Sequence, residues 1–251
     1  MKRVPALAVM IALLVGGAAA QKAQTPSAAA LSFYRALKEK RYVEGFRHSV
    51  YRGAVEGLSA AELQELEPDF ARTFAQIPDK IEAQGEQING ETAVVTLKFE
   101  GNDQPQTVAL VRAGGEWLVG DQASLAEVKQ QGHAYFFNAR MVANEDEVVD
   151  ILQHIVGAEV IYGRKYPGRA APLAELIRLG GVTRDMETGV ANGYRLAMNL
   201  SADQSSFTVT AVPVVYAKTG RLSFYADING IRAQDLKGQP ATATAPLFQP
   251  K

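Results

Sequence analysis

Between Gly193 and Ala233 the chain alternates apolar and polar residues with a period that no helix can use. Tyr194, Leu196, Met198 and Leu200 are separated by Arg195, Ala197 and Asn199; Phe207, Val209 and Ala211 repeat the pattern, then Leu222, Phe224 and Ala226, then Ile231 and Ala233. Period two buries one face of a sheet and leaves the other wet. The runs are parted by short polar, turn-prone segments: 201–206, 218–220 and 227–230. Connections of that length join antiparallel neighbours, so the spacing predicts a four-stranded meander. Its apolar face needs an amphipathic cover.

The cover is expected just upstream. Asn144-Glu-Asp-Glu147 predicts a helix start, with Asn144 as N-cap and Glu147 placed for a capping box. Val148, Ile151, Leu152, Ile155, Ala158, Val160, Ile161 and Tyr162 form its stripe, and Gly163, Arg164, Lys165 and Pro167 end it. A short helix follows, with Pro172 just inside its start and Gly180 just past its end.

A helix followed by a meander resembles the globular half of a type IV pilin or pseudopilin. NEDEVVDILQHIVGAEVIYGRKYPG is similar to the soluble half of the pilin helix, APLAELIRLGG to the short helix after it, and GYRLAMN, TVTAVPVVYAKTGRLSFYADINGIRA and PATATAPL to the sheet and C-terminus. The resemblance covers roughly 144–246. It implies a pilin-like domain, 144–236, followed by a flexible tail, 237–251, that is mobile or extended. Pilins polymerise through a hydrophobic helix preceded by a processing site; no such pattern precedes Asn144, so a polymerising subunit is not expected.

A different unit is expected first. Ala30, Phe33, Tyr34 and Leu37 share one helix face, a second helical patch covers Tyr42–Val50, and Ser59-Ala-Ala-Glu62 predicts a capping box, with Pro68 breaking or kinking that helix before Phe70 and Phe74. The period then changes to two. Asn89-Gly90 and Gly114-Gly115 predict hairpins that link strands at Ile81–Ile88, Ala93–Phe99, Val108–Leu110 and Glu116–Val119. LSFYRALKEKRY, ETAVVTLKFE and ALVRAGGEWLV in that order resemble exported bacterial members of the nuclear-transport-factor-2-like cone fold, over roughly 27–121. Its members run from enzymes to interaction modules, so fold alone does not give function. The fold class expected is α+β with two domains, a cone-fold domain at 21–121 and the pilin-like one. They are joined by a connector, 122–143, whose HAYFFNARM is aromatic enough to pack on one of them.

Lys2-Arg3, the apolar Ala6–Val15 and Ala18-Ala-Ala20 have the order of a secretory signal peptide, residues 1–20. An uncleaved anchor is the alternative. Export to the bacterial periplasm or beyond is expected either way. The chain has no cysteine, which excludes disulfides, thiol catalysis and lipoprotein attachment, and a net charge of −1 carries no electrostatic footprint for nucleic acid.

Candidate chemistry is sparse. His48, His133 and His154 have no partner at metal-ligand spacing, and P-loop, Gly-x-Ser-x-Gly and Rossmann patterns are absent. His154 is expected to be a hydrogen-bonded structural residue. Asp227-Ile-Asn-Gly230 invites comparison with the calcium loop of major pseudopilins, but position twelve of an EF-hand register is Gly238, and Asn-Gly explains a hairpin by itself. Arg164, Lys165 and Arg169 beside Tyr166 are expected to complement a helix C-terminus. The expectation is an exported, non-catalytic interaction or scaffold protein, without cofactor or metal, associated with pilin-type or other envelope proteins of a pilus or pseudopilus assembly. The alternative is a small-molecule-binding cone whose pocket is lined by Tyr34, His48, Tyr51 and Trp117.

Overall fold

A computed structural model describes residues 24–249; the leader expected at 1–20 lies outside them. The order is α1 (Pro26–Lys38), α2 (Tyr42–Arg47), α3 (Arg52–Glu56), α4 (Ala60–Thr73), β1 (Ile81–Asn89), β2 (Thr92–Phe99), β3 (Gln106–Ala113), β4 (Glu116–Val119), α5 (Gln122–Gln131), α6 (Tyr135–Lys165), α7 (Leu173–Arg178), β5 (Val190–Ala191), β6 (Tyr194–Leu200), β7 (Phe207–Pro213), β8 (Leu222–Asp227) and β9 (Gly230–Asp235). Two antiparallel sheets result, β1-β2-β3-β4 and β5-β6-β7-β8-β9, each with its own core, so the chain is α+β in two parts. Among the described residues no helix is long and apolar enough to cross a membrane.

In the first part Ala30, Phe33 and Leu37 of α1 pack with Ala93, Val95, Leu97 and Phe99 of β2, the alternation seen in the sequence. The capping box forms: Ser59 N–H donates to Glu62 Oε2 (2.8 Å) and Glu62 N–H to Ser59 Oγ (3.3 Å). Pro68 lies inside α4 without ending it. The edge strand β1 carries a bulge between Ala83 and Gly85, which disrupts the regular edge that another chain would need for pairing.

The second part departs from expectation at three points. A short β5 adds a fifth strand to the meander. The tail is pinned rather than loose: Ala233 N–H donates to Pro246 O (3.0 Å), Phe248 N–H to Ile231 O (2.9 Å), and Ala245 is buried. The Pro246 carbonyl and the Phe248 amide extend the sheet edge, which proline-rich composition does not reveal. The largest correction concerns Asn144. It is no N-cap but a buried residue in the middle of a 31-residue α6. Tyr135 to Ala143 contain no helix breaker, and Phe137, Met141, Asn144 and Val148 carry the apolar stripe backward at spacings of three and four. The connector is therefore α5 plus the first turns of α6. One helix is shared by both units.

Candidate functional site

α6 crosses from one core to the other, and its N-terminal turns are the aromatic ones. Phe136 lies 4.9 Å from Phe46 and 5.0 Å from Phe70 between ring centroids, and Tyr135 lies 5.3 Å from Tyr51. Together with Phe74 and Leu66 these rings wall a cavity of about 430 Å³ between α2, α4 and α6. Its polar rim is Asp69, Arg72, Arg140 and Asn144. Burial raises the pKa of Tyr135, with Tyr51 adding to the effect, so its hydroxyl stays protonated at neutral pH.

The rim is held by an ion network. Arg140 Nε donates to Asp69 Oδ2 (2.6 Å), its Nη1 to Glu65 Oε1 (3.1 Å) and its Nη2 to Glu65 O (2.9 Å). Lys218, from the loop between β7 and β8, reaches Glu65 Oε2 at 2.8 Å. Both cations lie over the Phe137 ring, Arg140 at 5.3 Å and Lys218 at 5.8 Å. The same loop is fastened to α6, with Asn144 Nδ2 donating to Thr219 O (2.8 Å), and Arg221 and Leu222 N–H donating to Glu145 Oε1 (2.7 and 3.1 Å). The cavity thus sits where the two units are buckled together. Apolar walls with a few fixed polar groups are the usual composition of a small-molecule site, and this volume falls in the usual range.

The expected pocket residues do not converge. Of the four only Tyr51 is on the cavity wall. Tyr34 packs edge-on against Phe33 and Phe99 at 5.0 and 5.3 Å. Trp117 is buried in the first core with Arg112 over its ring. His48 caps the end of α2, where its carbonyl accepts from Val119 N–H (2.8 Å); burial first and Arg52 second lower its pKa. The residues missed are Phe136, Arg140 and Asn144. The signal for them was HAYFFNARM itself, whose register depends on α6 being unbroken.

Other candidates resolve as structure. Ser49 Oγ donates to Phe46 O (2.8 Å), and Asp227 Oδ1 accepts from Asn229 N–H (2.7 Å) to close the β8–β9 hairpin. His154 is exposed on α6 and its side chain makes no hydrogen bond among the described residues, contrary to the structural role expected for it. Among the described residues no three His, Asp or Glu side chains are placed to hold a metal.

One buried acid lies apart from the junction. Glu159 is 4% exposed, and its two carboxylate oxygens share one donor, Ala171 N–H, at 3.0 and 3.1 Å. Burial raises its pKa, only partly offset by that donor. Because the folded chain holds this proton more tightly than the unfolded one, stability falls as pH rises from the ordinary value of 4.5 toward the raised one, and the loss is complete above it. Glu159→Gln keeps an oxygen for Ala171 and cannot ionise. It is expected to raise the melting temperature at neutral pH and to leave it unchanged below pH 4.5. A paired melting series over pH checks this; a glutamine variant that melts lower at pH 7 would contradict it.

Comparison with protein-family models, with curated proteins and with solved structures finds no match to this chain.

Proposed function

We propose that the protein is an exported binding module, not an enzyme, that takes a small apolar or aromatic molecule into the junction cavity between α2, α4 and α6. The observation that carries this is the composition of the cavity: rings on its walls, and on its rim an arginine whose donors are engaged by Glu65 and Asp69. Such a lining favours desolvation and stacking of a ligand over proton transfer to it. A bound ligand would touch the first unit and the α6 turns that lead into the second, so occupancy would stiffen the start of their connection.

The test is a thermal-shift screen of the exported chain against small aromatic and aliphatic metabolites. A ligand at a hundred times its Kd is expected to stabilise the protein by about 2.7 kcal/mol. Ala139→Trp, which places an indole in the cavity from an exposed position on its wall, is expected to abolish the shift without lowering the melting temperature. If no compound shifts the wild type, or if Ala139→Trp responds equally, the cavity is not the site.

A second reading, docking to a pilus- or pseudopilus-type envelope assembly, is favoured by one feature. One face of the N-terminal half of α6 is occupied by the first unit through Phe136, Phe137 and Arg140, so that face is not free to bundle with neighbours in a filament. A pilin-like head so blocked could bind a filament but not extend it. Crosslinked recovery of pilin-type subunits from native envelopes supports this reading, and spontaneous fibre formation by the purified chain overturns it.

A further inference from the structure

A second cavity, of about 500 Å³, lies in the C-terminal unit between the end of α6, the segment 168–170, and the β7 and β8 strands with their turns. Its lining contains two acids, Glu159 and Asp227, and two bases, Arg164 and Arg169. None of these forms a salt bridge with another, although all border one space, so acid and base are held more than 4.0 Å apart. Ser206 and Tyr225 add hydroxyls to the same lining. We infer that this cavity binds a small zwitterion, its ammonium at Glu159 and Asp227 and its anionic end at Arg164 and Arg169.

Glu159 gives the inference its weight. A carboxylate offers about four acceptor positions, and this one, buried on the cavity wall, receives a single N–H from the protein. A buried charge without a counter-ion is unfavourable, and a ligand ammonium is the group that would relieve it. The raised pKa of Glu159 agrees with a carboxyl waiting for such a partner. Asp227 also keeps acceptor capacity, since only Asn229 N–H at 2.7 Å and the Tyr225 hydroxyl at 3.4 Å reach it. A lone amine would meet the field of two guanidiniums, and a lone anion that of two carboxylates. A molecule bearing both charges, separated, satisfies both ends. The position is independent of the junction cavity, and the inference does not rest on that cavity's proposed ligand.

The experiment is calorimetric titration of the full exported chain at pH 7.5 with glycine, 4-aminobutyrate and 6-aminohexanoate, which vary the charge separation, and with butylamine and butyrate as half-ligands. One zwitterion is expected to saturate the protein in the millimolar range or tighter, and each half-ligand to bind at least about tenfold more weakly, the worth of one charged hydrogen bond. Glu159→Gln and, separately, Arg169→Ala are each expected to weaken binding about tenfold or more. Arg169 is exposed, so its removal leaves the fold intact and keeps the test valid if Glu159→Gln perturbs the core. Ala139→Trp at the other cavity is expected to change nothing. Absence of binding by every zwitterion, equal binding by butylamine, or full affinity in both variants overturns the inference.

Discussion

Arg140→Ala is expected to lower the free energy of unfolding by about 3 kcal/mol, a drop in melting temperature of roughly 6–12 °C for a chain of this size. Arg140 is 12% exposed at its side chain and makes three charged or backbone-directed hydrogen bonds to α4. Truncation removes these and leaves Asp69 only the long, exposed contact with Arg72 at 3.4 Å. Glu65 keeps Lys218, so the damage is not total. Arg140→Lys is expected to recover less than half, because an ammonium cannot span Asp69, the Glu65 carboxylate and the Glu65 carbonyl as a planar fork does. Denaturant unfolding followed by circular dichroism and by Trp117, the single tryptophan, checks both variants and shows whether the first unit separates from the second. A loss below about 1 kcal/mol, the worth of an ordinary exposed ion pair, would falsify the buckle as a major contributor.

The same network gives the junction an acid limit of opposite sign to that of Glu159. Lys218 first, then Arg140, hold the Glu65 carboxyl below its ordinary value of 4.5, against the opposing effect of burial. A depressed carboxyl stabilises the fold fully above that value and loses its contribution as pH falls through the folded one. Glu159 relieves strain over the pH range just above, as it takes up its proton. On acidification the second core therefore gains slightly while the junction, at still lower pH, lets go.

The elements legible in the sequence were those whose signals are local. The Gly114-Gly115 hairpin folds as a two-residue turn with positive φ at 60° and 84°, as Gly-Gly announces; the other forms one residue later than Asn-Gly suggests, on Gly90-Glu91 with φ 59° at Gly90, since Asn89 pairs with Thr92 as the last residue of β1. The Ser59–Glu62 box and the β6 and β7 alternation are equally local, whereas β8 buries the adjacent Ser223 and Phe224 and β9 is half-buried on both faces over 230–233. What escaped depends on distant partners. Asn144 has the chemistry of an N-cap, and the acidic residues after it, with Glu147 at capping-box spacing, predict one; the actual claimant of its side chain, Thr219 O, is 75 positions away. Placing the helix start there concealed the run from Phe136 to Arg140 that walls the cavity. Tyr34, His48, Tyr51 and Trp117 were grouped as polar-tipped aromatics and a histidine, but which side of a core a ring faces follows from tertiary packing, and only Tyr51 faces α6. The Glu159 site could not be foreseen, since a helical glutamate reveals its burial only when the 168–171 segment folds over it.

Gly220→Ala is expected to be the most damaging single methyl addition in the C-terminal unit, costing about 2–4 kcal/mol. Gly220 ends the loop that carries Lys218 and Thr219, and its Cα lies against Tyr194. A methyl there would sit 2.5 Å from the ring Cζ and closer still to the hydroxyl oxygen. Tyr194 cannot yield: it is fully buried, its ring packs against Phe224 at 5.8 Å, and its hydroxyl donates to Leu222 O at 2.9 Å. Burial, with Glu145 adding to it, pushes the pKa of that hydroxyl up and keeps it protonated at neutral pH. The loop must therefore move, and moving it withdraws Thr219 O from Asn144 and Lys218 from Glu65, so strain in one core opens the buckle to the other. Tyr194→Phe alone is expected to cost about 1 kcal/mol for the lost hydrogen bond. Combined with Gly220→Ala it should cost less than the sum, because removing the oxygen relieves the closest overlap while the Cζ contact persists. A double-mutant cycle read by denaturant unfolding measures that coupling. Simple additivity would mean that the loop relaxes away from Tyr194 freely and that the buckle is not held from this side.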